Sequence, residues 1–176
     1  MKITNLPMEG LILFEPKIFK DTRGAFYESW RQNTYGENGV DDPFVQDNVS
    51  LNAGKVLRGL HFQKEMGQMV TVVHGKIWDV VVDMRPTSPT VGKHFSTELS
   101  EENAHQLYMP PGFAHGFCVL SDAAVVQYKC TQYYDPSKEG GLLWNDPDLG
   151  IQWPLENPIV SERDEQHPRF KDIKVS

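Results

Sequence analysis

The stretch Val56-Leu57-Arg58-Gly59-Leu60-His61-Phe62-Gln63 combines a strand pattern with three polar side chains that can take part in chemistry. Alternation along a β-strand turns His61 away from Leu60 and Phe62. An imidazole, a guanidinium and an amide therefore share one short segment, close to residues 69–73, which are typical of a buried sheet. A histidine in such a place is more often a hydrogen-bonded core side chain than a catalyst, so both interpretations stay open at this point.

Short apolar segments of the same kind recur along the chain. Predicted strands cover residues 10–19, with a bend at Pro16, and residues 44–50, 70–73, 77–84, 95–99, 106–109, 114–120 and 124–131. Between and after them we predict hairpin turns at His74-Gly75-Lys76 and Ser121-Asp122, a loop over residues 31–44, an ordered loop over residues 135–153 and a short helix opening at residues 161–164. Many short strands with almost no helical periodicity favour an all-β sandwich or barrel.

Composition indicates one domain without a surface for nucleic acid. The chain has 176 residues, 39% of them hydrophobic, which is enough for one well-filled core, and we expect a single domain over residues 1–176. The formal net charge is -7 and no Lys/Arg run is present, so a nucleic-acid partner is not expected. An anionic ligand would have to be held by a few local arginines.

Cysteine usage and hydropathy predict a reducing compartment. Cys118 and Cys130 each lie in an apolar run, where free thiols usually pack as small hydrophobic side chains. The N-terminus shows no long apolar segment typical of a secretory signal, and no window approaches the roughly 20 apolar residues of a membrane span. We therefore predict a cytoplasmic protein that does not interact with a membrane.

Six histidines make a metal site the first chemical hypothesis. Pro110-x-Gly112-x-x-His115 resembles the second half of the motif of metal-binding cupins. The first half requires paired histidines at i and i+2 with a following carboxylate, whereas His61 is followed by Phe62-Gln63. Too few ligands for Zn or Fe remain, so we predict no metal and no other cofactor.

The remaining polar residues favour proton transfer. The sequence shows no serine-elbow motif, no electropositive setting for either cysteine and no phosphate-binding loop. A His, a Tyr and carboxylates spread over a barrel suit proton abstraction next to a carbonyl, with a base on one side and an acid on the other. For Tyr128 taken alone, a buried hydroxyl bonded to the backbone is the more frequent structural role.

Four motifs carry a resemblance to a known family. They are the stretch over residues 56–63, Pro110-Pro111-Gly112-Phe113-Ala114-His115-Gly116-Phe117, Tyr128-Lys129-Cys130-Thr131-x-Tyr133-Tyr134 and Trp144-Asn145-Asp146-Pro147-x-x-x-Gly150-Ile151-x-Trp153-Pro154. The four motifs follow the family's order, and the match extends over about residues 10–165. The chain therefore resembles the dTDP-4-dehydrorhamnose 3,5-epimerase family. The resemblance implies a cupin-type jelly-roll barrel with short C-terminal helical segments, and a cofactor-independent epimerase of a nucleotide-diphosphate 4-keto-6-deoxyhexose.

The resemblance also implies roles for individual residues. His61 matches the family's general base, Asp164 the carboxylate that orients it, and Tyr128 the general acid. Positions that match substrate-binding residues are Phe19, Arg23, Glu28, Gln46, Asn48, Arg58, Gln68, His115, Tyr134, Glu139 and Arg163. In the implied reaction, neutral His61 removes a proton next to the keto group and Tyr128 returns one from the opposite face of the enolate.

A homodimer is predicted from the early edge-type strands. Residues 10–30 carry several exposed-looking aromatics, and by the family resemblance they pair with the neighbouring subunit's sheet. Arg23 and Glu28 would then reach the partner's site.

One position departs from the family pattern. The family usually has Gly-Lys-Leu-Val where this chain has Gly67-Gln68-Met69-Val70, after a loop that looks shorter. The lysine that lies near the sugar's keto oxygen is thus replaced by a neutral amide, which favours inversion at one carbon only, C3. Two other functions remain open: a cupin that binds sugar nucleotides without catalysis, and a cupin ketoisomerase or metalloenzyme.

Overall fold

Antiparallel strands dominate residues 1–173, the part of the chain that the computed structural model describes. The strands are β1 (Lys2–Asn5), β2 (Ile12–Glu15), β3 (Phe19–Asp21), β4 (Gly24–Phe26), β5 (Gln46–Ala53), β6 (Leu57–Gln63), β7 (Gln68–His74), β8 (Lys76–Asp83), β9 (His94–Ser100), β10 (Gln106–Met109), β11 (Phe113–Val119), β12 (Ala123–Cys130) and β13 (Glu139–Gly141). The helical segments are α1 (Gln32–Gly36), α2 (Glu162–Glu165) and a 3₁₀ turn (Phe170–Asp172). The all-β prediction with short C-terminal helical segments is confirmed.

Two sheets face each other and a small hairpin stands apart. The six-stranded sheet has the order β1-β2-β10-β7-β12-β5, the five-stranded sheet the order β13-β6-β11-β8-β9, and β3 pairs only with β4. Every strand pairing is antiparallel. Within residues 1–173, no helix has the length and apolar character needed to cross a membrane.

The main core lies between the two large sheets. Val70 and Val126 contribute from the six-stranded sheet, and Val81 and Phe117 contribute from the five-stranded sheet, all fully buried or nearly so. A second cluster covers the outer face of the five-stranded sheet, where Leu60 meets residues of the C-terminal segment. The C-terminal segment is therefore held against β6, which positions α2 beside the site described below.

Both predicted hairpins were wrong. The turn at His74-Gly75-Lys76 joins β7 to β8, and the turn at Ser121-Asp122 joins β11 to β12, but in each case the two strands belong to different sheets. The alternation of apolar and polar residues predicts a strand on each side of a tight turn. It does not show whether the two strands pair with each other or belong to facing sheets. The crossing turns bring β12 of one sheet opposite β11 of the other.

Three further local predictions can be compared with the structure. Residues 31–44, predicted as a loop, contain helix α1, because Tyr35 is buried against Phe14 and donates a 2.5 Å hydrogen bond to Gln106 Oε1. A single helical turn is too short to show a 3.6-residue period. The loop predicted over residues 135–153 contains the three-residue strand β13. The bend at Pro16 is confirmed, since β2 ends before it and β3 begins after it.

A bulge in β6 decides which of its side chains share a face. His61 pairs with His115 and Arg58 pairs with Phe117, so three steps on β6 match two on β11. Gly59 lies inside this bulge with φ +126°, and a Cβ there would be 2.5 Å from Gly116 Cα. Strict alternation would put positions 58 and 61 on opposite faces; the bulge turns both side chains to the same cleft.

Candidate active site

A cleft of about 260 Å³ opens between the two sheets and is lined by residues of β5, β6, β7, β11, β12 and β13. Predicted site residues that line this cleft are Asn48, Arg58, His61, Gln68, His115, Tyr128, Tyr134 and Glu139. They come from six strands and one loop, so the cleft depends on the complete sandwich.

His61 and Asp164 form a hydrogen-bonded pair on one wall of the cleft. His61 Nε2 lies 2.7 Å from Asp164 Oδ1, and the imidazole is about one third exposed while the carboxylate is nearly buried. When Nε2 donates to the carboxylate, Nδ1 keeps its lone pair and is the nitrogen able to accept a proton. The predicted pairing of a histidine with an orienting carboxylate is therefore present in the structure.

Asp164 is fixed by its position on α2. Ser161 caps this helix by accepting a 3.1 Å hydrogen bond from the Asp164 N–H, and Asp164 Oδ2 accepts a 3.1 Å bond from the Gly59 N–H. Burial alone raises the pKa of this carboxyl group, but the hydrogen bonds from His61 and Gly59 outweigh it, and the net effect lowers the pKa. Asp164 is thus ionised at neutral pH and accepts the hydrogen bond of His61 as a carboxylate.

Tyr128 stands on the facing sheet, in β12. Its hydroxyl lies 3.0 Å from Ser50 Oγ. Asn52 Nδ2 donates to Ser50 Oγ at 2.9 Å, and Arg58 Nε donates to Asn52 Oδ1 at 2.6 Å. Burial raises the pKa of Tyr128 to about 12, while the Ser50 hydrogen bond and the nearby Arg58 charge act in the opposite direction. The phenol is therefore protonated at neutral pH and able to donate a proton.

A second histidine–carboxylate pair lies deeper in the cleft. His115 Nε2 is 2.7 Å from Asp79 Oδ2, and both side chains are buried. The His115 ring lies 6.2 Å from the Tyr128 ring, in an edge-on arrangement that spans the two sheets. Asp79 Oδ1 is buried without a hydrogen-bond partner among residues 1–173.

The cleft mouth carries a cluster of one aromatic and two charged residues. Tyr134 donates a 2.8 Å hydrogen bond to Glu139 Oε2, and Arg163 approaches the same oxygen at 2.6 Å. Burial by itself raises the pKa of Glu139, but the bonds from Tyr134 and Arg163 reverse the shift and lower it. The Tyr134 ring is 49% exposed at this mouth.

Two amide side chains frame the cleft differently. Gln46 lies just outside the lining, where it donates to Asn48 Oδ1 at 3.0 Å and accepts from the Tyr134 N–H at 3.0 Å. Gln68 lines the cleft, and its Nε2 lies 3.5 Å from Met66 Sδ. Gln46 therefore acts on the shape of the mouth, and Gln68 faces the ligand space.

Phe19, Arg23 and Glu28 are not brought to this chain's cleft. Phe19 and Arg23 lie on or beside the exposed β3–β4 hairpin, where Arg23 pairs with Asp21 at 2.6 Å. Glu28 pairs with Arg31. These three predicted binding residues have no role in the cleft as one chain forms it.

Some residues in the site or next to it were not predicted. Ser50 and Asn52 connect Tyr128 to Arg58, and they continue the i, i+2 polar row that begins at Gln46 and Asn48, so extending that row would have identified them. Asp79, the partner of His115, interrupts the apolar run of β8. A carboxylate at such a position is a sequence signal that could have identified it. His167 Nε2 lies 3.6 Å from Asp164 Oδ1. Burial lowers the pKa of His167, and the nearby His61 lowers it further. Its i+3 spacing from Asp164 in the predicted helical segment is the local signal that could have identified it.

A histidine–carboxylate pair on one sheet and a protonated phenol on the facing sheet are the elements of an isomerase that acts by proton transfer. A family model described as dTDP-4-dehydrorhamnose 3,5-epimerase matches residues 5–172. The chain belongs to this family, and the family predicted from the four motifs is confirmed.

Relatives and solved structures agree with this placement. The dTDP-4-dehydrorhamnose 3,5-epimerase of Methanothermobacter thermautotrophicus is 47% identical over 173 residues, which cover 96% of this chain and 94% of the relative. The epimerase RmlC of Legionella pneumophila, in complex with dTDP-4-keto-L-rhamnose, has a TM-score of 0.94 at 44% identity and covers 98% of this chain and 94% of its own. ChmJ of Streptomyces bikiniensis, a 3′-monoepimerase in complex with dTDP-quinovose, has a TM-score of 0.89 at 33% identity. The match covers 94% of this chain and 86% of ChmJ. The cupin-type jelly roll is thereby confirmed.

Proposed function

We propose that this chain, as one domain over residues 1–176, inverts a carbon next to the keto group of a nucleotide-diphosphate 4-keto-6-deoxyhexose, by proton abstraction and reprotonation. The observation that carries the proposal is the placement of His61, paired to Asp164, on one sheet and Tyr128 on the other. The 4-keto group acidifies the C–H bonds at C3 and C5, and His61 removes one of these protons. Tyr128 then returns a proton from the other side, which inverts the centre.

Charge and stacking in the cleft suit a sugar nucleotide. Arg58 offers a guanidinium beside the Tyr128 network, which fits a diphosphate oxygen in an otherwise acidic protein. The exposed ring of Tyr134 offers a stacking surface at the mouth. Because the relatives named above act on or bind dTDP-sugars, thymidine is the proposed nucleoside. Every step is a proton transfer, so the proposal includes no cofactor.

The proposed location is the cytoplasm. Cys118 and Cys130 are both free and buried, and burial raises the pKa of each thiol, to about 12 for Cys118 and about 11 for Cys130. Such unreactive thiols are usual in a reducing compartment.

Incubation of the protein with a dTDP-4-keto-6-deoxyhexose in D2O tests the proposal. We expect deuterium to enter the sugar ring next to the keto group, with inversion of the labelled centre, as followed by NMR. Binding of the sugar nucleotide without label would instead support a non-catalytic binding protein. Movement of the keto group would support a ketoisomerase.

The number of inverted centres is predicted from Gln68. A lysine beside the keto oxygen can offset developing enolate charge by roughly 3–4 kcal/mol in a water-excluded site, whereas an amide supplies only an ordinary hydrogen bond. Since Gln68 faces the cleft, we expect deuterium and inversion at C3 alone in the wild-type protein. The prediction is supported by the presence of a 3′-monoepimerase among the similar structures.

The variant Gln68→Lys supplies the matched comparison. It is expected to gain label at C5 under conditions where the wild type labels only C3. Lys64 lies in the short loop before Gln68, so Lys64→Gln is the control for a cation that reaches the keto oxygen from there. Rapid label and inversion at both carbons in the wild-type protein would contradict the prediction.

A homodimer is predicted from apolar surface on two edges. Strand β5 closes the six-stranded sheet with Val49 at 61% and Leu51 at 75% exposure, and the β3–β4 hairpin presents Phe19 at 54% and Phe26 at 72%. Unpaired edges with large apolar side chains favour association. Light scattering at micromolar concentration is expected to give twice the mass of one chain.

Subunit complementation tests whether the hairpin reaches the partner's site. Arg23→Ala and His61→Asn are each expected to reduce turnover at low substrate. In a mixed dimer, the site that combines His61 of one chain with Arg23 of the other is intact, so mixing and re-equilibrating the two variants should restore activity. A monomeric mass with full activity, or no restoration in proven heterodimers, would contradict the prediction.

A further inference from the structure

His61, Asp164 and His167 bring three potential metal ligands together at the edge of the cleft. One ligand atom from each lies within 4.8 Å of the other two. His61 Nε2 is 2.7 Å and His167 Nε2 is 3.6 Å from Asp164 Oδ1. Two ligand atoms on a tetrahedral zinc ion, bound at 2.0–2.1 Å, are about 3.4 Å apart. The two measured distances lie on either side of this value, so zinc binding requires the His61 and Asp164 side chains to move apart.

The proposed proton-transfer reaction leaves His167 without a role. Its Nε2 is buried and has no hydrogen-bond partner among residues 1–173, although it points toward the Asp164 carboxylate. A buried polar atom without a partner is unusual in a folded protein and calls for an explanation. A metal ion bound between the two imidazoles and the carboxylate would give this nitrogen a partner.

The backbone leaves room for the His167 ring. Gly141 of β13 pairs with His61 of β6, and a Cβ at Gly141 would lie 2.3 Å from His167 Cε1 and Nε2. The ring therefore packs directly on the Gly141 backbone, which holds it beside the His61–Asp164 pair. A surface cavity lined in part by Gly141, Arg163 and His167 reaches one of the three ligands, His167.

We propose that His61, Asp164 and His167 form an inhibitory binding site for Zn²⁺. Two neutral imidazoles and one carboxylate supply the nitrogen and oxygen donors that zinc prefers, and they leave a fourth position for water, whereas Mg²⁺ and Ca²⁺ prefer oxygen donors. The Arg163 guanidinium nearby is paired with Glu139, which offsets its charge. The site thus holds a net charge of -1 for a divalent cation.

Zinc at this site removes the proton acceptor that the proposed function requires. In the free protein the proton of neutral His61 lies on Nε2, between the ring and Asp164, and Nδ1 holds the lone pair. When Nε2 binds zinc, the same proton moves to Nδ1, so no proton is gained or lost by the ring and the lone pair at Nδ1 disappears. The inhibition rests on the proposed role of His61 as the base, but the binding of zinc does not.

The first test measures binding independently of activity. Tag-free protein is titrated with Co²⁺, whose visible absorption reports nitrogen ligands in a four-coordinate site, and zinc is used to displace it, with stoichiometry from equilibrium dialysis. We expect one ion per chain. His167→Gln and Gly141→Ala, which remove or displace the third ligand, should weaken binding by more than the roughly 10- to 100-fold typical of losing an outer-shell partner. His74→Gln is the matched control, because His74 pairs with Glu101 on the surface and should leave binding unchanged.

The second test measures turnover. Zinc should inhibit the wild-type enzyme and the His74→Gln variant, EDTA should restore both, and Mg²⁺ should have no effect. His167→Gln should retain turnover in chelator and resist zinc. Absence of the Co²⁺ spectrum, equal affinity in His167→Gln and Gly141→Ala, or loss of the spectrum in His74→Gln would overturn the site. A His167-dependent spectrum without inhibition would overturn the inhibitory role and count against His61 as the base, while leaving metal binding in place.

Discussion

His61→Asn is expected to abolish deuterium exchange at the sugar ring carbons while leaving the fold and sugar-nucleotide binding nearly unchanged. A general base typically contributes about 10²–10⁴-fold to a proton-transfer step. Asparagine retains a donor for Asp164 but has no nitrogen that accepts a proton at neutral pH. The effect should therefore appear in kcat for exchange rather than in the dissociation constant for the nucleotide.

Two controls separate chemistry from stability in this variant. Circular dichroism and the thermal midpoint should match the wild type, since His61 is about one third exposed and belongs to no apolar cluster. His105→Asn, which changes a histidine that faces Glu15 outside the cleft, should exchange deuterium at the wild-type rate. Normal exchange in a folded His61→Asn protein would remove His61 from the mechanism.

The strand content was predictable from the sequence because short apolar runs and turn residues are local signals. These local signals did not predict which of the two sheets each strand joins. The turn at Gly75 has φ +77° and a Cβ there would meet Ala123 O at 2.1 Å, so a glycine is required where the chain crosses between sheets. A tight hairpin requires a glycine for the same conformational reason. Only the packing of β7 and β8 in different sheets distinguishes the two cases.

The arrangement of the site residues could be predicted only in part. His61 and Asp164 are 103 positions apart, so no spacing rule connects them, and their pairing was expected from the family resemblance alone. The shared face of Arg58 and His61 depends on the bulge at Gly59, which alternation does not predict. His167 follows Asp164 at i+3, which is a local spacing, but the room for its ring beside the His61–Asp164 pair depends on a distant glycine, Gly141.

Tyr128→Phe is expected to produce a different defect from that of His61→Asn. His61 and Asp164 remain in place, so the base still forms the enolate, and the imidazole exchanges its proton with solvent through its exposed side. Reprotonation then comes from the same side as abstraction. In D2O we expect label to enter the ring with retention of configuration, while inversion falls by about 10²–10⁴-fold.

The ionisation of Tyr128 supports this assignment. Burial raises the pKa of the phenol to about 12, so it is protonated throughout the neutral range and begins to lose its proton only as the pH approaches that value. Once the proton is donated, the Ser50 hydrogen bond and the nearby Arg58 charge stabilise the phenolate. Activity that depends on this acid should therefore show no alkaline decrease from Tyr128 below about pH 11.

Tyr108→Phe is the matched control for removal of a phenol. Tyr108 is buried in the apolar cluster that includes Tyr35 of α1, and burial raises its pKa to about 12, as it does for Tyr128. Tyr108 does not line the cleft. Its variant should invert the sugar at the wild-type rate. Full inversion at a normal rate in Tyr128→Phe would show that water or another side chain is the acid. Loss of exchange as well as inversion would show that the phenol is needed to form the enolate, and either result would contradict the division of roles between the two sheets.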